Sequence, residues 1–132
     1  MSKTPTIRVV AAVIEQNGQY LITQRRASAV LPKLWEFPGG RVEAGESDAD
    51  ALCREVRHRL GVDLSVGQLI SFVSHPYEKY SVDLFLYDCR IEAGSLSALN
   101  VLAFRWVKSS DFDQYAFTPA DEASMNQLLG IH

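Results

Sequence analysis

Residues 39–62, GGRVEAGESDADALCREVRHRLGV, constrain the fold of this chain more than any other stretch. A Gly-Gly pair opens it, Ser47 stands where a helix N-cap would sit with Asp50 three residues on, and Gly61 follows Leu60 as a stop. Between them Ala49, Leu52, Cys53, Val56 and Leu60 recur at helical spacing, which predicts a helix with those five residues as its core stripe. At about 100° per residue, Glu55 and Arg59 share a different stripe and His58 projects close by. Three arginines and a histidine thus surround one glutamate, in a chain of formal net charge -3. Any anion site must be local.

The flanking sequence reads as strands. Ile7–Ile14 and Tyr20–Thr23 bracket Asn17-Gly18, a pair that supports the positive φ angles of a tight hairpin. Further strands are expected at 68–73, 80–91 and 101–107. Ala27 to Gly45 has loop chemistry, centred on WEFPGG at 35–40, where glycine lets backbone approach backbone or ligand closely. A second helix is expected from Thr118 as cap, with Pro119 at the first helical position and Asp121 completing a capping-box-like pair, as far as Leu129. Hairpins around two helices imply an α/β fold with a mixed sheet flanked by helices.

With 132 residues, 47% of them hydrophobic, and no repeat or linker, the expected organisation is one domain over 1–132. The longest apolar runs, such as Val9–Ile14, are too short to cross a membrane and the N-terminus lacks the hydrophobic region of a secretory signal, so a soluble cytoplasmic protein without a membrane partner is expected. A pI near 5.5 gives no support to a nucleic-acid partner. Cys53 and Cys89, without CxxC spacing, suit reduced thiols. Trp35 and Trp106 are expected in the core beside Phe37, while His75 and His132 receive no role.

Seven residues fall at the spacing of a known signature: Gly40, Glu46, Arg54, Glu55, Val56, Gly61 and Val62. The stretch resembles the Nudix hydrolase box, which reads Gly, five residues, Glu, seven residues, Arg-Glu, an aliphatic residue, any residue, Glu-Glu, any residue, Gly, then an aliphatic residue. LITQRRA at 21–27, WEFPGG at 35–40, FRWV at 104–107 and TPADE at 118–122 are similar to the MutT and CTP-pyrophosphohydrolase branch. The resemblance implies an α/β/α sandwich with a mixed sheet, acting on a nucleoside triphosphate or diphosphate conjugate with Mg²⁺ or Mn²⁺. Cations of that kind neutralise the phosphate charge and, being hard, require oxygen ligands.

Carried over position by position, the resemblance makes Glu55 the catalytic and metal-binding carboxylate, puts Gly39 in the metal set, and makes Glu46 and Arg54 a structural ion pair; His58 joins the metal set only by its own imidazole chemistry. It gives Arg25 to the phosphates, Arg25 aligning better than Arg26, and Asp121 to the base; Arg59 is assigned to the phosphates by its guanidinium charge and not by the resemblance. An aspartate accepting from an exocyclic amine favours cytosine or a purine amine over uracil or thymine.

The chain departs from the signature where the two consecutive glutamates stand, which are His58 and Arg59, and at a further acidic position that aligns with Asn100. An arginine about 5 Å from a divalent ion would repel it by about 6–7 kcal/mol at an effective dielectric near 20. A guanidinium there could instead pair directly with phosphate oxygens, or lock Glu55 away from metal through the favourable i,i+4 order. His58 could ligate a softer ion, Mn²⁺ or Zn²⁺, alongside Glu55. The leading expectation is a nucleotide-binding protein with hydrolysis impaired or lost and no metal required. The alternatives are an active Mg²⁺- or Mn²⁺-dependent pyrophosphohydrolase with an unusual site, drawing on acids such as Glu36, Asp83 or Glu78, and a regulatory module without a nucleotide ligand.

Overall fold

The computed structural model describes residues 4–128. The chain runs β1 (Thr6–Val13), β2 (Glu15–Gln16), β3 (Gln19–Gln24), β4 (Trp35–Glu36), β5 (Gly39–Arg41), α1 (Asp48–Leu60), β6 (Asp63–Pro76), β7 (Ser81–Ala93), β8 (Ala103–Val107), a 3-10 turn (Ser109–Gln114) and α2 (Pro119–Leu128). The expected end of α2 at Leu129 and the unassigned His132 lie outside the described residues. No described helix is long and apolar enough to cross a membrane.

Alternation along β1 generates the layers. Val10 and Ala12, continued by Ile14, pack with Leu52, Val56 and Leu60 of α1 on one face, while Ala11 and Val13 pack with Phe37, Leu84, Phe112 and Met125 on the α2 face. Both faces of β1 are therefore buried. Each fully buried Leu or Val contributes about 1.5–3 kcal/mol. The result is the expected α/β/α sandwich with a mixed sheet, ordered β5-β1-β7-β6, in which β1 and β7 run parallel and the other neighbours antiparallel. A second sheet is built on β3, which pairs with β2, β4 and β8.

Local signals mostly act as the sequence suggests. Asn17 and Gly18 both take positive φ, 53° and 77°, and Glu15↔Tyr20 and Gln16↔Gln19 close the hairpin around them. The Ser47 hydroxyl accepts from the Asp50 N–H at 3.1 Å, and Gly61, at φ 74°, returns its N–H to the Arg57 carbonyl.

Four expectations need correction. The 27–45 segment contains β4 and β5, because Gly39 lets that strand press onto β1: a Cβ there would stand 2.0 Å from the Val10 carbonyl oxygen. Ala51 belongs to the core of α1 and Ala49, in the first turn, is exposed, with Cys53 only half-buried. Strand β6 begins at Asp63 rather than 68, because it pairs with β7 along its whole length through three register shifts. Trp35 and Trp106 are half-buried at the core's margins, and Phe37 is the fully enclosed aromatic.

Candidate functional site

Helix α1 brings its polar stripe against β4 and β5. Glu55 is buried, 9% exposed, at the point where Gly40 passes it. A Cβ on Gly40 would stand 2.3 Å from the Glu55 Oε2, so only glycine leaves room for this carboxylate. Arg54 Nη1 donates to Glu55 Oε1 at 2.5 Å, and Arg59 Nε donates to Glu55 Oε2 at 2.9 Å. Both oxygens of Glu55 are engaged by guanidinium groups.

The contacts continue in both directions. Arg54 also grips both oxygens of Glu46, at 2.7 and 2.8 Å, and donates to the Arg41 carbonyl. Arg59 Nη1 lies 3.6 Å from Glu36 Oε2, and Arg25 Nη1 donates to both oxygens of Glu36 at 3.1 and 3.3 Å. Six side chains thus alternate in sign, Glu46, Arg54, Glu55, Arg59, Glu36 and Arg25. The chain of charges is internally neutral.

That arrangement decides how well a divalent ion fits. An ion needs carboxylate oxygens aimed at a common point, and here Glu55 and Glu36 are aimed at Arg59. Among the described residues no group of three His, Cys, Asp or Glu side chains is placed to hold a metal. His58 is exposed and lines a separate hollow with Arg26 and Asn100, and the Glu55 carboxylate is held by Arg54 and Arg59. The side chains as arranged do not fit the ion.

Beside the network lies a cavity of about 290 Å³, lined by Arg25, Glu36, Gly39, Arg59, Tyr77, Tyr80 and Asp121 together with apolar residues of β1 and β7. Tyr77 and Tyr80 stack with ring centroids 5.1 Å apart, and the Tyr77 hydroxyl accepts from the Ala120 N–H at the start of α2. A concave apolar chamber with a few converging polar groups is the ordinary form of a small-molecule site.

Asp121 reaches this chamber in an unexpected way. Thr118 Oγ1 does cap, accepting from the Asp121 N–H at 3.2 Å, but the Asp121 carboxylate accepts the Thr118 hydroxyl and, 84 residues away in sequence, the Phe37 N–H at 3.0 Å. It therefore ties α2 to the β4–β5 segment. Burial pushes Asp121 up to about 7, the nearby Glu36 charge adding to the shift while the Thr118 and Phe37 donors oppose it. Burial also raises Glu36, against the lowering effect of Arg25 and Arg59. At the outer end of the network, the Arg54 hydrogen bonds hold Glu46 down to about 2.

Of the three spare acids, Glu36 alone stands in the site. Asp83 accepts from the Ser74 hydroxyl within the β6–β7 ladder, and Glu78 is exposed on the hairpin turn. Gly39 lines the chamber and Arg26 is exposed next to it. Sequence reasoning missed Arg8, which holds Asp48 in the first turn of α1 through two bonds of 2.8 and 2.7 Å, with Tyr87 donating to the same carboxylate. The acid in the first helical turn was the available signal. Cys53 and Cys89 are free, and burial raises both thiols, Cys89 to about 12, which removes thiolate chemistry near neutrality.

A NUDIX domain family model matches residues 9–127. The chain is 38% identical over 127 residues to a CTP pyrophosphohydrolase of Escherichia coli K12, covering 95% of this chain and 93% of the relative. It is 29% identical over 124 residues to an 8-oxo-dGTP diphosphatase of Haemophilus influenzae, covering 93% and 91%. The solution structure of the E. coli ORF135 protein superimposes with a TM-score of 0.81 at 32% identity, over 97% of this chain and 91% of the other.

Proposed function

The chain belongs to the Nudix family, and from that premise we propose that it is a nucleotide-binding protein of MutT-like shape whose diphosphate hydrolysis is impaired or lost. The observation that carries the reading is the Arg59 guanidinium, held between Glu55 and Glu36 at 2.9 and 3.6 Å, where the family's chemistry calls for a divalent cation. Nudix hydrolases generally employ such cations. An ion entering here would have to part Glu55 from both arginines and approach a fixed positive charge, at an electrostatic cost of several kcal/mol at an effective dielectric of about 20.

Binding has separate support. The 290 Å³ chamber offers stacked tyrosines for a flat apolar ring, and Arg25 and Arg59 stand at its polar side for phosphates. Asp121 lines the chamber, and a carboxyl accepting from an exocyclic amine suits cytosine or a purine carrying one. The named substrates of the two relatives, CTP and 8-oxo-dGTP, both carry such an amine. Two unbridged cysteines are in keeping with a cytoplasmic setting.

The test is phosphate and pyrophosphate release from a panel of nucleoside triphosphates and diphosphate conjugates in Mg²⁺, Mn²⁺ or EDTA, alongside nucleotide binding in EDTA. Binding without appreciable turnover is the expected result. Metal-dependent turnover abolished by Glu55→Gln would refute it in favour of an active enzyme with a rebuilt site.

A further inference from the structure

Strands β2, β4, β5 and β8 run for two to five residues, whereas β6 runs for 14 and, among the described residues, pairs with β7 on one side and with no strand on the other. An open edge of that length presents a row of unpaired backbone donors and acceptors, and such edges are ordinarily blunted by charged side chains, proline or bulges that turn them away. Residues 64–74, LSVGQLISFVS, contain no charge and no proline. They carry Leu69, Ile70 and Phe72 instead, 49%, 40% and 44% exposed. Phe72 meets Phe85 with ring centroids 4.8 Å apart, and the Arg8 guanidinium, bonded to Asp48 of α1, lies 3.8 Å from the Phe85 centroid. An aromatic row anchored by an arginine thus runs from α1 to the open edge, a composition common at the energetic centres of protein interfaces.

The bulges in β6 are placed symmetrically. Leu64, Val66, Leu69, Phe72 and Ser74 stand opposite Ile91, Cys89, Tyr87, Phe85 and Asp83, alternate residues of β7, and therefore share the α1 face of the sheet. Ser65, Ser71, Val73 and His75 stand opposite Arg90, Leu86, Leu84 and Val82 and share the α2 face, where the Ser71 hydroxyl meets Gln127. The spacing is irregular because the ladder shifts register on both sides of Leu69. Reversing the strand about Leu69 reproduces that irregularity: Leu64 exchanges with Ser74 and Val66 with Phe72 on the α1 face, and Ser65 exchanges with Val73 on the other. Asp63 exchanges with His75.

We propose that β6 is the contact surface for a second copy of this chain, the two β6 strands pairing antiparallel about a two-fold axis through Leu69 and joining two four-stranded sheets into one of eight strands. A two-fold contact places the same patch on both partners, and this strand is built to meet its own reverse. Leu69 faces its own copy, Val66 faces Phe72 on the same side of the sheet, and the bulges fall opposite one another. The charges agree with this register. Asp63 and His75 are the strand's only ionisable side chains, and the pairing sets carboxylate against imidazole at each end, with Arg57 already bonded to Asp63. Leu69, Ile70 and Phe72 lie outside the chamber lining, so the surface is independent of the nucleotide reading.

Sedimentation equilibrium of the full chain across the micromolar range tests this on the wild type, Leu69→Lys, Leu69→Glu and an equimolar mixture of the two variants. Leu69 is exposed, so both variants keep the fold and circular dichroism verifies it. Wild type is expected to dimerise with a micromolar dissociation constant. Each variant sets like charges opposite one another at the axis and is expected to weaken the dimer about a hundredfold, while the mixture sets lysine against glutamate and regains it. Amide hydrogen exchange over 64–74 should slow as protein concentration rises. A monomeric wild type would overturn the proposal and leave the edge to a strand of different chemistry, and a dimer that both variants leave intact would overturn it equally. A dimer lost in both variants and not regained in their mixture, or one whose amide protection falls outside β6, would overturn the pairing about Leu69.

Discussion

The two ends of the charge chain are built from the same residue types and differ in what surrounds them. At the Glu46–Arg54 end the partners are open to solvent, the carboxylate stays strongly acidic, and the pair joins the loop before α1 to the helix itself. At the Glu55–Arg59–Glu36 end the carboxylates are largely buried, Glu36 is pushed up by burial, and the arginine between them points into a cavity. Glu46, Arg54 and Glu55 keep the residues of the signature, and Arg59 is where the sequence departs from it. Scaffold and chemistry are separable in this helix because Gly40, Glu46, Arg54 and Gly61 shape the turn–helix–turn, while positions 58 and 59 carry none of its core packing.

Removing one charge from each end should show the difference most strongly. Glu55→Ala leaves Arg59 half-enclosed without its main partner and is expected to cost about 3 kcal/mol in denaturant unfolding. Glu46→Ala should cost less, and added salt should shrink that smaller loss further. Equal losses at both ends would erase the distinction.

Gly40→Ala sharpens the inner end. Its Cβ collides with the Glu55 carboxylate rather than with backbone, so the expected loss of about 1–3 kcal/mol should fall markedly in a Glu55→Ala background. Additive losses in the double variant would mean that the glycine serves the backbone alone.

A further effect concerns pH. Asp121 titrates near 7 in the folded protein and near the ordinary aspartate value when unfolded, so the folded state holds the proton more tightly. Its contribution is most favourable below the unfolded value and is lost as pH rises towards and through about 7. Melting temperature should therefore decline from pH 5 to pH 8.5, and Asp121→Asn, which can still accept from Phe37 N–H, should flatten part of that decline. Glu36, raised in the same direction, supplies the remainder. An unchanged slope in Asp121→Asn would show that Asp121 stays ionised throughout.

Much of the scaffold is legible in sequence because it is local. Ser47, Gly61, the Asn17-Gly18 turn and the Thr118 cap act within a few residues of themselves, and each does what its chemistry suggests. The seven-position box carried the family. What sequence did not convey is long-range. Arg59 meets Glu36 across 23 positions and Phe37 N–H finds Asp121 across 84, contacts set by how β4, α1 and α2 converge and not by any spacing. Glu36 was visible only as one acid among three, and Asp121 gave its cap but not its tie to Phe37. The 27–45 segment read as loop because two- and three-residue strands lie below the length at which alternation can be recognised.

The proposal that the Arg59 guanidinium replaces a metal ion is tested most directly by Mn²⁺ titration followed by electron paramagnetic resonance, in the wild type, Glu55→Gln and the double variant His58→Glu with Arg59→Glu. Wild type is expected to leave the free-Mn²⁺ signal unchanged, and the double variant to take the ion up and gain metal-dependent turnover. Uptake by the wild type that Glu55→Gln abolishes would contradict it.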